Sequence, residues 1–250
     1  MSLRRSLTCL AAGILLAGCQ SPVARNQVAP TPGGPCPSGV ASMIDRIDFV
    51  VFSGIMYTTG LASSGRRLAE NDLAAPYAMV RCKLADNNFD PSYNQVQDGN
   101  AAFLSPGTVL YRVNGYSPSF RIAARRDGQI VLYESDTNPT AHRGADLLDL
   151  AGKVTKISID SDTGDGTNQL AAITDQAMVD NAVRLLLRAP VDQHSTAGHG
   201  GSRYFLVFQL IDGTTVMRAY FRSSGEVSRG ILAPPEFQSA INKAVAAAAK

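Results

Sequence analysis

The sequence predicts an α+β fold built on antiparallel sheets, for three reasons. Runs of β-branched and aromatic residues flank the turn dipeptides Asn114-Gly115, Asp127-Gly128 and Asp212-Gly213, which are typical of tight β-hairpins. Residues 179–187 carry the apolar spacing of an amphipathic helix. Strand and helix patterns do not alternate often enough for a doubly wound parallel sheet.

Strand patterns dominate the first half of the chain. Residues 47–52, 55–57 and 78–84 are rich in apolar, β-branched and aromatic side chains, which favours strands. Residues 63–75 predict a loop or a short helix. Residues 89–100 are rich in Asn, Asp and Gln without periodicity, which predicts a polar loop.

A three-stranded antiparallel meander is the clearest pattern in this half. Its predicted strands are residues 108–113, 116–125 and 129–134, joined through the first two turn dipeptides. Residues 141–150 then predict a short helix or turn that leads into the second half.

The second half begins with a predicted strand at residues 153–161. The amphipathic helix comes next, with Thr174 or Asp175 placed to cap its start and Pro190 soon after its end. Residues 204–211 and 214–222 form a second predicted hairpin.

The last elements are residues 227–232, which could extend this hairpin, and a closing helix at residues 236–249, entered through Pro234 and Pro235. The order strand, helix, hairpin, helix predicts helices that cover one face of an antiparallel sheet.

The N-terminus has the organisation of an export signal. Arg4 and Arg5 precede the apolar residues 7–16, a stretch that is too short to span a bilayer as a helix. It ends in the tetrapeptide Leu16-Ala17-Gly18-Cys19. One interpretation is an ordinary secretory leader in which Cys19 occurs by chance.

The other interpretation is that this tetrapeptide resembles the lipobox of bacterial lipoproteins, in which signal peptidase II cuts before a cysteine that carries diacylglycerol. The resemblance covers residues 1–19 only. It implies that residues 1–18 are removed, that Cys19 is lipidated, and that the membrane is a partner through this lipid. Since Gln20 is not the aspartate associated with inner-membrane retention, an outer-membrane location is expected if the host has two membranes.

The mature chain divides into a tether and a folded body. Residues 19–42 are rich in proline and glycine and poor in large apolar side chains, which predicts a tether. We expect a mostly-β subdomain at residues 43–150 and an α+β subdomain at residues 151–250.

Charge argues against nucleic acid as a partner. The formal net charge of +2 falls to zero once Arg4 and Arg5 are removed with the leader. A nucleic-acid-binding domain would carry a basic face.

Cysteine usage leaves two alternatives. Export places Cys36 and Cys82 in an oxidising compartment, where they could form a disulfide. Such a bond would close a loop of roughly fifty residues, worth about 4 kcal/mol in the chain-entropy model. Otherwise Cys82 is buried and Cys36 is free.

No pattern predicts a catalytic residue, a cofactor or a metal site. The run Asp160-x-Asp162-x-x-Asp165-Gly166 resembles a calcium loop, but its sixth position is Asp165 and its twelfth is Ala171, which excludes an EF-hand. His194 and His199 lie in a glycine-rich loop and His142 stands alone, so exposed histidines are the simpler interpretation.

The meander carries the candidate ligand-binding residues Tyr116, Tyr133, Arg112 and Arg121. Tyrosine rings suit a polysaccharide or a peptide, and arginines suit carboxylates or anionic headgroups. The simpler interpretation is that the tyrosines are ordinary strand residues and the arginines keep the sheet soluble.

These observations predict a lipid-anchored envelope protein without catalytic activity of its own. The first hypothesis is a module that binds an envelope protein or supports assembly, and an apolar surface patch would favour it. The second is a binder of cell-wall polysaccharide or a small ligand, with a cleft lined by the meander residues. The third is an envelope hydrolase.

Overall fold

The computed structural model describes residues 47–60, 65–85, 96–162, 168–195, 202–228 and 230–249. The predicted leader, Cys19, Cys36 and the tether lie outside these residues. The described strands are, in chain order, β1 (Phe49–Phe52), β2 (Ile55–Thr58), β3 (Leu73–Met79), β4 (Cys82–Lys83), β5 (Asn100–Ala101), β6 (Val109–Val113), β7 (Arg121–Arg126), β8 (Gln129–Thr137), β9 (Val154–Ser161), β10 (Gln169–Ile173), β11 (Arg203–Leu210), β12 (Thr215–Phe221), β13 (Glu226–Val227) and β14 (Ile231–Leu232). The described helices are α1 (Gln176–Arg188) and α2 (Pro235–Ala248).

The strands form two sheets, which confirms the predicted α+β class with antiparallel sheets. Sheet 1 has eight strands in the order β3-β6-β7-β8-β2-β1-β5-β4. Sheet 2 has six strands in the order β10-β9-β11-β12-β13-β14. Every described pairing is antiparallel except that of β4 with β5.

The predicted meander is β6, β7 and β8, with one difference at its first turn. Asp127 and Gly128 have φ values of 52° and 72°, so the turn between β7 and β8 has the two positive φ angles expected of a type I′ hairpin. β7 starts at Arg121 instead of residue 116. The cause is the compact turn before it, where the Phe120 amide donates to the Ser117 carbonyl at 3.0 Å and Pro118 has no amide hydrogen to donate to a strand partner.

The predicted amphipathic helix is confirmed as α1. The Asp175 carboxylate accepts a hydrogen bond from the Met178 amide at 2.9 Å, so Asp175 is the N-cap. The apolar face of α1 is buried through Val179, Ala182, Val183 and Leu186. The closing helix is confirmed as α2, with Pro235 as its first residue.

The largest core lies between sheet 2 and the two helices. Leu206 and Phe208 of β11 contribute to it, as do Val183 and Leu186 of α1 and Phe237 of α2. Their burial removes apolar surface from water, which is the main force that holds these elements together.

Residues 141–150 also pack into this core. They form a short 3-10 turn at Gly144–Asp146, and Leu148 and Leu150 lie in the same apolar cluster as α1. A Cβ atom on Gly144 would lie 2.1 Å from the Leu186 carbonyl oxygen, so only glycine fits against this helix. Side chains from both sides of residue 150 therefore share one core, and the division into two subdomains at that position stays a prediction.

Candidate functional site

A buried cluster of three charged side chains joins the two sheets. Arg121 of β7 and Glu134 of β8 are direct cross-strand partners, and the Arg121 Nη2 atom lies 2.6 Å from Glu134 Oε1. Arg218 of β12, in the other sheet, places Nη1 2.8 Å from Glu134 Oε2. Arg121 is fully buried, and the side chains of Glu134 and Arg218 are 6% and 11% exposed.

The remaining donors of Arg121 reach the turn before β12. Nη1 donates to the Thr214 hydroxyl and Nη2 to the Thr215 carbonyl, each at 2.8 Å. These bonds compensate part of the cost of removing a guanidinium from water. Arg121 therefore fixes the position of sheet 2 relative to the meander.

Glu134 is held in its ionised form. Burial by itself raises the pKa of this carboxyl, but the guanidiniums of Arg218 and Arg121 outweigh burial and lower the pKa below its usual value. The cluster therefore carries two positive charges and one negative charge at neutral pH.

Tyr116 and Asp212 extend the contact between the sheets. The Tyr116 hydroxyl donates to Asp212 Oδ2 at 2.9 Å, and the Arg121 guanidinium lies 4.8 Å from the Tyr116 ring centroid. Burial is the main cause that raises the pKa of Tyr116 to about 12. Tyr116 therefore stays protonated and keeps donating to Asp212.

Beside this cluster lies a cleft of about 740 Å³ between the two sheets. One wall comes from the end of β2 and from β8, and the other from β11, β12 and the residues around β13. Glu134 and Arg218 both line it. The volume is in the range of pockets that hold small molecules.

One part of the cleft wall is apolar. Phe205, Phe221, Ala219 and Met217 form a separate apolar cluster, and all four line the cleft. The Arg203 guanidinium lies 5.2 Å from the Phe205 ring centroid and forms an ion pair with Asp162 at 2.8 Å. This wall offers contact area to an apolar group.

Another part of the wall carries a buried carboxylate. Glu226 is 4% exposed, and it accepts hydrogen bonds from the Ser195 hydroxyl and, at 3.1 Å, from the Gly230 amide. Asp192 lines the same corner, and its amide donates to the Gly230 carbonyl at 2.8 Å.

The structure brings two of the four predicted ligand-binding residues together and separates the others. Tyr116 and Arg121 are in contact, but Arg121 is buried in the ion-pair cluster. Tyr133 and Arg112 lie on the opposite face of sheet 1, because both are in register with Ile122. Burial raises the pKa of Tyr133, whose hydroxyl donates to Asp48. The four residues line no common cleft in the described part of the chain, and a ligand role for them stays a prediction.

The meander arginines are each engaged by other side chains. Arg125 pairs with the exposed Glu70 at 2.6 Å, and Arg126 pairs with Asp48. Arg112 lies over the Tyr77 ring at 5.0 Å from its centroid. These contacts direct the guanidiniums to separate partners on sheet 1.

The other sequence candidates fall partly outside the described residues. Of the acidic run, Asp160 and Asp162 are described and Asp165 is not. Likewise His194 is described and exposed, whereas His199 is not described. No group of three or more potential metal ligands occurs in the part of the chain that the structure describes.

Cys82 is disulfide-bonded and fully buried on β4. The chain has four cysteines, and Cys9, Cys19 and Cys36 all lie outside the described residues. The predicted partner, Cys36, is one of these three, and the pairing stays a prediction.

Sequence reasoning missed Glu134, Arg218 and Glu226. A signal was available for Arg218, because it is the one charged residue of a largely apolar and aromatic strand, where burial requires an opposite charge. Glu134 gave a weaker signal, since it follows an apolar stretch but precedes the polar residues Ser135, Asp136 and Thr137. Glu226 gave no such signal, since its strand has two residues.

Comparisons of the chain with models of known protein families, with curated protein sequences and with solved structures gave no match. No described helix combines the length and apolar character needed to cross a membrane. The geometry of the cleft is therefore the basis for the functional assignment.

Proposed function

We propose that this protein is a lipid-anchored bacterial envelope protein that binds a small polar ligand in the cleft between its two sheets. The observation that carries the proposal is the cleft itself, about 740 Å³ in volume, with an apolar wall and buried charged groups side by side. Binding sites for small molecules combine apolar surface with a few placed polar groups in this way.

The scaffold around the cleft is suited to hold a fixed shape. Arg121 links β7 and β8 to the Thr214 hydroxyl and the Thr215 carbonyl, and Tyr116 links the meander to Asp212. Because these bonds are buried or partly buried, water competes for them weakly. A ligand would meet a cleft that is already organised, which lowers the entropic cost of binding.

A binding role without catalysis is supported by the ionisation of Glu134 and by the hydrogen bonds of Glu226. Glu134 stays ionised at neutral pH because two guanidiniums lower its pKa, so it is a poor proton donor for general acid catalysis. Glu226 already accepts two hydrogen bonds, from Ser195 and Gly230.

A small ligand is favoured over a docked protein by the distribution of exposed apolar side chains. Among the described residues they lie on separate elements, for example Met79 on β3, Leu170 on β10, Met178 on α1 and Ile211 after β11. Protein-binding surfaces usually present a contiguous apolar patch.

The lipid anchor is supported by the residues Leu16-Ala17-Gly18-Cys19 behind a short apolar stretch. Mass spectrometry of the mature protein should find an acylated N-terminal cysteine. Cys19→Ala should move the protein from the membrane fraction to the soluble fraction. A cleaved, unmodified N-terminus would overturn the anchor and leave the cleft proposal intact.

Ligand binding can be read by fluorescence, because the chain contains no tryptophan. Thr59→Trp places one indole on the cleft wall, and Thr155→Trp places one at an exposed position of β9 outside it. Both changes are made in the mature chain with Cys19→Ala. We expect free amino acids, short peptides, sugars or dicarboxylates to change the emission of the first protein only. A complete lack of response to all four classes would overturn the proposal.

A further inference from the structure

In the described part of the chain, one buried carboxylate of the cleft has no basic partner, and one buried guanidinium has a donor without an acceptor. Glu226 is 4% exposed, yet no basic side chain among the described residues lies within ion-pair distance of it. Its two hydrogen bonds come from the neutral Ser195 and Gly230 groups. A buried carboxylate is costly unless a positive charge accompanies it.

The corner around Glu226 is acidic as a whole. Asp192 and Glu226 both bond Gly230, the first through the hydrogen bond from its amide to the Gly230 carbonyl and the second by accepting from the Gly230 amide, and both residues line the cleft. Asp192 Oδ1 accepts from the His194 backbone amide at 2.9 Å. This corner therefore favours a ligand group with a positive charge.

Arg218 presents the opposite case. Its Nη1 atom is engaged by Glu134 Oε2 and by the Met217 carbonyl, each at 2.8 Å. Its Nη2 atom is buried and has no hydrogen-bond acceptor among the described residues. Because Glu134 is shared between Arg121 and Arg218, the Nη2 donor of Arg218 favours a negative ligand group as its acceptor.

The apolar cluster completes the pattern. Met217 and Ala219 flank Arg218 in the sequence of β12, and Phe221 is in register with Glu226. All three line the cleft together with the two charged groups. Since successive side chains of a strand point to opposite faces, these three residues share the face of sheet 2 that carries Glu226, and the wall offers apolar contact beside that carboxylate.

We propose that the ligand is a small zwitterion, a free amino acid or a short peptide, with its ammonium group at Glu226 and its carboxylate at Arg218. An apolar side chain of the ligand packs on Phe205, Met217 and Phe221. This inference rests on the proposed ligand-binding function of the cleft. A neutral sugar would supply a charge to neither group, and a simple anion would supply none to Glu226.

The test compares a dipeptide with two blocked analogues by isothermal titration calorimetry. Alanyl-leucine, its N-acetyl derivative and its C-terminal amide are titrated into the mature chain with Cys19→Ala. Each blocked analogue loses one charge-assisted hydrogen bond, so we expect its affinity to fall about tenfold or more. All free amino acids and an alanyl-X dipeptide set are titrated in parallel to cover side-chain preference.

Two variants assign the two ends of the ligand. Glu226→Gln keeps the size of the side chain and can still bond Ser195 and Gly230, so it should remove the preference for the free amine and keep the preference for the free carboxylate. Arg218→Lys keeps a cation near Glu134. It should weaken the preference for the free carboxylate and keep the preference for the free amine. Arg125→Lys, at the exposed ion pair with Glu70 on sheet 1 and outside the cleft, is the matched control and should change neither preference. Circular dichroism establishes that each variant is folded.

The outcomes distinguish failure of the zwitterion inference from failure of the proposed ligand-binding function. Binding of methyl glucoside or succinate without binding of any zwitterion would overturn the inference and keep the ligand-binding function. Equal affinity for the dipeptide and both blocked analogues would also overturn the inference. If no compound of any class binds, both are wrong.

Discussion

Arg121 and Glu134 face each other across neighbouring strands of the meander, and their side chains form an ion pair at 2.6 Å that is almost fully buried. The antiparallel register places the two Cα atoms opposite each other, so the pair needs no loop to bring it together. Arg218 then joins from the other sheet. The cleft wall is therefore built on an electrostatic cluster that cannot lose one member without cost.

We expect Glu134→Gln to lower the free energy of unfolding by about 3–5 kcal/mol, because it leaves two buried guanidiniums without a carboxylate. Urea denaturation measures the change. The control is Glu70→Gln, which removes the exposed pair with Arg125 and should cost less than about 1 kcal/mol. Equal effects of the two variants would contradict the prediction.

Replacing the whole cluster should be tolerated better than breaking it. The triple variant Arg121→Met, Glu134→Leu and Arg218→Met leaves no buried charge in the cluster, so we expect it to recover most of the stability lost in Glu134→Gln. The same denaturation experiment compares the two proteins. A triple variant less stable than Glu134→Gln would show that the cluster contributes more than charge compensation.

Stability should fall in acid because of Glu134. Its pKa is lowered in the folded protein, so the stabilisation is fully present above the unfolded value of about 4.3. It is lost as the pH falls from that value through the folded pKa, since the unfolded state then takes up a proton that the folded state does not yet bind. Denaturation from pH 7 to pH 2 should show a shallower loss for Glu134→Gln than for the native chain. Parallel curves would rule out this carboxyl as the cause.

Gly144→Ala should destabilise the protein by about 1–3 kcal/mol or more, because the new Cβ would meet the Leu186 carbonyl oxygen at 2.1 Å. Gly107→Ala is the comparison. Its φ is +85° with open space around it, so the expected cost is only the backbone strain of about 1 kcal/mol. Thermal unfolding ranks the two variants, and a smaller shift for Gly144→Ala would be inconsistent with the tight contact.

Peptide mapping without reductant should join the peptide of Cys82 to that of Cys36. With a loop of roughly fifty residues, Cys82→Ser should then lower the free energy of unfolding by about 4 kcal/mol in the chain-entropy model. Recovery of Cys82 linked to Cys9 would refute the pairing and the removal of the leader. Recovery of Cys82 linked to Cys19 would refute the pairing and the lipidation of Cys19.

Local patterns were sufficient to predict α1, because its apolar spacing, its Asp175 cap and Pro190 all lie within one short segment. They were not sufficient for β10, whose five residues follow a polar run and gain strand structure only by pairing with β9. The start of β7 was predicted too early, because the strand propensity of Tyr116 gives no information about the turn around Pro118.

The candidate site was harder to predict than the fold. Glu134 and Arg218 are 84 residues apart in sequence, and no local pattern reports on a contact of that length. Arg121 was selected for its charge, but burial against Glu134 makes it part of the scaffold. Which charged residues face a ligand depends on how two sheets meet, and that is a property of tertiary packing.

The disulfide at Cys82 has a mechanical consequence. β4 forms one outer edge of sheet 1, and the chain's other cysteines all precede β1 in sequence. A pull on the N-terminus is therefore transmitted to β4 through the disulfide as well as to β1 through the backbone. The N-terminal segment is thus connected to two strands of sheet 1, β1 and β4, which lie on either side of β5.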